Sequence, residues 1–239
     1  MWAQKALVTG RLGYTLLMKI VTKKDQLDSL VETIEFTLIS VIQGVALYFF
    51  INDTKDLLIG HHYESFLYIA IGFLLLCMFW ALALFHIISF ISWPINFTHL
   101  FLYFLVVTFE VLLFESISNP TQWFLWNIFF FMAVWLLFWA DYKLLRSKKD
   151  RFDKTKIGEQ FYAKLLWQQK LGVYFLVPAG IVMSLAAWYL LSTYPDFFIE
   201  QKWHLAFGAL QFLVAIGVLL QSLKTYGQQC KYLEVVTGT

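Results

Sequence analysis

The chain has 239 residues, of which 60% are hydrophobic, 20% aromatic and 14% charged, with a formal net charge of +2. That composition leaves too little polar surface to coat a soluble globule of this length, so a bilayer must cover much of it. Two cysteines, Cys77 in an apolar run and Cys230 near the C-terminus, exclude a disulfide framework and a cysteine-based metal site.

Residues 1–29 carry Lys5, Arg11, Lys19, Lys23 and Lys24 around a short apolar stretch, with no small-residue cleavage pattern. They read as a cytoplasmic or interfacial N-terminal segment. Six runs then follow that are apolar enough to span a bilayer: Ile34–Ile51, Phe66–Ile91, Phe97–Phe114, Trp123–Ala140, Val173–Leu191 and Leu205–Leu223. The 18 Lys and Arg residues divide unevenly among the gaps: five precede the first run, nine fall in 141–172 and two in the tail, against one each in 52–65 and 192–204. By the positive-inside rule both termini and segment 141–172 lie in the cytoplasm. The expected fold is an all-α integral membrane protein with six transmembrane helices. Helices 1–4 occupy residues 30–140, a basic amphipathic cytoplasmic segment 141–172, helices 5–6 residues 173–223, and a cytoplasmic tail 224–239.

Gap 52–65 contains Asp53, Asp56, His61, His62 and Glu64, as an external loop would. Adjacent histidines rarely point at one ion and no third ligand stands at helical spacing, so no metal is expected here. Ser92–Asn96 with Pro94, and Asn119–Pro120, are tight connections that make spans two to four a serpentine of antiparallel neighbours. In segment 141–172, Phe152, Ile157, Phe161, Leu165, Leu166 and Trp167 recur at near-helical spacing among basic residues. The segment is expected to continue span four and then lie against the inner leaflet, attracted to anionic headgroups, with docking of a cytoplasmic protein partner as the alternative. Topology already accounts for its charge, so nucleic acid is not an expected partner.

Ionisable groups in hydrocarbon are expensive, so each needs a partner, water or a function. Glu32 and Glu35 flank the start of span one, His86 lies in span two, His99 starts span three, and Glu110 is the deepest carboxylate. With Glu115 and Ser116 just beyond it, Glu110 reads as a residue that snorkels to the outer interface; the alternative is a carboxylate facing a cavity or a subunit contact. Span one is the most polar along one side. Thr33, Thr37, Ser40 and Gly44 advance by four, three and four, with Gln43 beside them and Leu47 one turn further. Such a stripe either lets another helix approach closely or lines an aqueous path for ions. No nucleophile with its base, no phosphate loop and no cofactor-binding constellation is present, so neither an enzyme nor a cofactor is expected.

The landmarks of spans one to four resemble the potassium channel family of the transmembrane protein 175 type and its bacterial relatives. Span one has Glu35-Phe36-Thr37-Leu38, where the family carries Phe-Ser-Asp; span two has Phe79-Trp80, then Phe85-His86 and Phe90; span three begins Thr98-His99-Leu100; span four ends in the basic exit Asp141–Arg146. Leu38 stands where the family's signature has Asp. The resemblance implies six spans, both termini inside, a bacterial cytoplasmic membrane and a homo-oligomeric cation channel whose first helix lines the pore. On that expectation Thr37, Ser40 and Gln43 face the ion path and Leu47 forms its apolar constriction. The rival expectation is a non-conducting anchor or scaffold that holds a cytoplasmic partner through 141–172.

Overall fold

The computed structural model describes the backbone of residues 2–90, 97–147, 149 and 156–237, and the side chains within them other than those of residues 2–25, 28, 32, 84–90, 156–157 and 229–237. Its long elements are helices: α1 (Trp2–Ile59), α2 (Phe66–Phe90), α3 (Phe97–Glu115), α4 (Pro120–Ser147), α5 (Lys156–Leu171), α6 (Val177–Thr193) and α7 (His204–Thr237). No strand occurs among the described residues. Six stretches are long and apolar enough to cross a membrane: Ser29–Ile59, Tyr63–Ala83, Phe97–Glu115, Pro120–Ser147, Gly158–Thr193 and His204–Gln228. The chain is therefore an integral membrane protein by the length and composition of its helices, since only closed backbone hydrogen bonding survives in lipid.

Local chemistry explains the punctuation between helices. At the α3–α4 link the Asn119 side-chain oxygen accepts the Gln122 backbone N–H at 3.2 Å, and Pro120 opens the helix where its missing N–H costs nothing. The α1–α2 turn follows Gly60 through His61, whose φ of 52° is left-handed, and then a 3₁₀ turn over Tyr63–Ser65. Lys202, with φ 62°, turns the chain in the same way before α7. The two turns are joined by an exposed Lys202–Glu64 ion pair at 2.6 Å.

In segment 141–172 span four continues as a helix, as expected; Phe152 and the side chain of Ile157 lie outside the described residues. Helix α4 runs on to Ser147, and α5 leads without a break through a five-residue π turn, Gly172–Leu176, into α6. A proline in an α-helix clashes with the carbonyl four residues back, and the wider π turn just before Pro178 relieves that clash. Gly172 permits the close approach of α4 there: a Cβ on it would lie 2.5 Å from the Phe138 ring. Leu145 of α4 packs with Phe161 and Leu165 of α5 in a small second core. Hydrogen bonds from Lys164 to Gln228 and from Gln168 to Thr225 tie α5 to α7. Helix α5 is thus bound into a helical body with the ends of α4 and α7.

Helix contacts close in the order α1, α3, α4, α6, α7, α2 and back to α1, with α6 against α7 the lightest join. Among the described residues α2 meets α3 only lightly, because α1 lies against both. The interior of this ring is filled. Trp123 and Phe124 of α4, Tyr68 and Ile71 of α2, and Phe114 of α3 are all fully buried.

Candidate functional site

Three groups of buried polar side chains follow one another along the bundle. The first joins α3 and α4. His99, in the first turn of α3, is hydrogen-bonded through Nε2 to Asp141 Oδ1 near the C-terminal end of α4, and both are buried. Tyr103, one turn further along α3, sets its ring 5.7 Å from the His99 ring. Glu35 of α1 is buried as well.

Beyond Tyr103 comes an apolar step. Ile39, Ile42, Phe79 and Val107 meet Tyr103 and Gln43 around a crevice too narrow for a water molecule. The second group lies past it, where Gln43 of α1 donates an Nε2–H hydrogen bond of 3.4 Å to Glu110 Oε2 of α3. Glu110 is completely buried and Gln43 is 4% exposed. The expectation that Glu110 snorkels to the outer interface is overturned, since its carboxyl turns into the bundle. The other oxygen of each group, Glu110 Oε1 and Gln43 Oε1, has no hydrogen-bond partner among the described residues.

The third group is closed. Trp123 Nε1–H donates to Gln211 Oε1 at 3.3 Å, Gln211 Nε2–H donates to Asn127 Oδ1 at 2.8 Å, and Asn127 Nδ2–H donates to the Trp123 carbonyl at 2.9 Å. Beside it the Tyr68 hydroxyl pairs with His204 Nδ1 at 2.8 Å. These bonds pin α2, α4 and α7 together, and a fully satisfied buried network of this kind rigidifies a bundle.

The stripe on α1 lies on a different face. Thr33, Thr37, Gly44 and Leu47 are exposed and Ser40 is half-buried, while a Cβ on Gly44 would meet nothing within 4 Å. The Thr33 and Thr37 hydroxyls return hydrogen bonds to the carbonyls of Ser29 and Thr33, at 2.9 and 2.8 Å. Gln43 is separated from this stripe and points inward to Glu110. The side chain of His86 lies outside the described residues. Among the described residues no group of three or more His, Cys, Asp and Glu side chains is placed to hold a metal ion.

Gln43, Glu110 and His99 stood out in the sequence without the pairings that join Gln43 to Glu110 and His99 to Asp141, and Asn127, Gln211, Tyr68 and His204 did not stand out. The amides were detectable: Asn127 and Gln211 stand in the middle of otherwise apolar runs, where a polar group signals a partner. No family model matches the sequence, and no curated protein or solved structure matches it either. The likeness to the channel family rests on the residues quoted above.

Proposed function

We propose that the chain acts as a homo-oligomer in a bacterial cytoplasmic membrane, with α1 set against α1 of neighbouring copies and a cation passing between them, and that it is not an enzyme. The observation that carries this reading is the division of α1 into two faces. Its inner face, with Glu35, Ile39, Gln43 and Ala46, is packed into the bundle, while Thr33, Thr37, Ser40 and Gly44 present hydroxyls and an open groove outward. The described interior of one chain is packed with buried side chains, which favours an aqueous path at a contact between copies over one through a single chain. There the hydroxyls would replace part of an ion's hydration shell and Leu47 would supply the apolar constriction.

A second reading has its own support. The bound ends of α4, α5 and α7 make a cytoplasmic body with Trp167 57% exposed among basic residues, which suits a scaffold that holds a protein partner. Flux and oligomer size, measured on the parent and on Ser40→Leu in liposomes, separate the two. The channel reading expects cation flux in the parent and its loss in Ser40→Leu with the oligomer retained. A parent without flux, together with a Ser40→Leu protein that dissociates, would leave the stripe a packing surface only.

A further inference from the structure

The Gln43–Glu110 pair is incomplete as an amide facing a carboxylate. Glu110 then has one long hydrogen bond, at 3.4 Å, and two buried acceptor oxygens of the pair, Glu110 Oε1 and Gln43 Oε1, are without a donor among the described residues. Buried acceptors left this way are costly, and a buried anion without a counter-charge far more so. Among the described side chains no counter-charge is within reach. Helix α1 has no basic residue between Lys24 and Lys55, α2 none between Phe66 and Phe85, and α4 none between Pro120 and Asp141. On α3 itself the nearest is His99, eleven residues and about 16 Å away along the helix. The titratable side chain that faces Glu110 from α2 is the Cys77 thiol, which supplies no positive charge.

One proton completes the arrangement. We propose that Glu110 with Gln43 is a proton-binding site: Glu110 is carried as the neutral acid, its O–H donating to Gln43 Oε1 while Gln43 Nε2–H donates to Glu110 Oε2. The two groups then form a closed pair with two hydrogen bonds, and both orphaned oxygens are satisfied at once. The pair joins α1 to α3, so the proton latches these helices together; its release would leave a charge in hydrocarbon and draw water into the seam. The pair is complete within one chain, whether or not copies conduct.

Infrared spectra of the full-length protein in lipid nanodiscs at neutral pH test this. The parent should show the carbonyl stretch of a protonated carboxylic acid that is missing from Glu110→Gln, and Gln43→Leu should move that band to higher frequency by removing its hydrogen bonds. Glu110→Gln should also keep the parent's thermal midpoint, because an amide repeats the donor and acceptor pattern of the neutral acid. A parent-minus-variant difference that shows a carboxylate stretch, or a Glu110→Gln protein that unfolds early or fails to fold, overturns the proposal.

Discussion

Replacing Asp141 by Leu is expected to lower the unfolding midpoint of the detergent-solubilised protein by roughly 6–20 °C. The carboxylate and the His99 ring are paired and buried between α3 and α4, and removing one partner of such a pair typically costs about 3–5 kcal/mol because the other is left buried without it. For a chain of this size each kcal/mol corresponds to about 2–4 °C. The exposed Lys202–Glu64 pair is the contrast: both side chains are more than half exposed, water screens them, and Glu64→Gln should hardly move the midpoint. The double variant His99→Leu with Asp141→Leu should recover much of the loss, since two apolar side chains suit the site. A double variant no better than Asp141→Leu alone would show that the pair is not what holds these helix ends.

Trp123→Ala should be comparably damaging for a different reason. The indole is fully buried, its ring 5.2 Å from that of Tyr68 in an edge-on contact, and it fills the middle of the outer half of the bundle. Truncation leaves a cavity costing about 3–5 kcal/mol and strips Gln211 Oε1 of its donor. Trp123→Phe separates the two contributions. It keeps most of the packing and loses only the hydrogen bond, worth about 0.6 kcal/mol on average and at most about 1.7 between membrane helices. Melting curves should therefore rank Trp123→Ala well below Trp123→Phe, and equal losses would assign the tryptophan's importance to its N–H.

The number and approximate extents of the spans were legible because length and apolarity alone decide them. The stripe on α1 was also legible as a row, because Thr33, Thr37, Ser40 and Gly44 keep helical spacing. Which side that row faces was not. Gln43 is one residue and about 100° round the helix from Gly44, enough to move it from the outer face to the interior. Glu110 was misplaced for a related reason. Its neighbours in sequence, Glu115 and Ser116, point to an interface, whereas the residue that receives it, Gln43, is 67 positions away. His99 and Asp141 are 42 apart, and Asp141 passed for the start of a charged exit. Pairings across helices depend on rotation and depth together, and hydrophobic periodicity fixes neither closely. The neighbours of α5 were not legible in its apolar stripe: Phe161 and Leu165 bury against Leu145 of α4 while Trp167 stays exposed, and the connection to α6 is a π turn between Gly172 and Pro178.

Every depth assigned above, from the inner His99–Asp141 pair to the outer Tyr68–His204 pair, depends on six crossings with the basic segments on one side. Labelling with a membrane-impermeant thiol reagent tests that most directly. In a background of Cys77→Ser and Cys230→Ser, cysteines are placed singly at the exposed positions Asp56, Asp196 and Glu159. The account predicts that Asp56→Cys and Asp196→Cys react in intact cells, and that Glu159→Cys reacts only after the membrane is opened to the cytoplasmic side. Reaction of Glu159→Cys in intact cells, or protection of either of the other two, would contradict it.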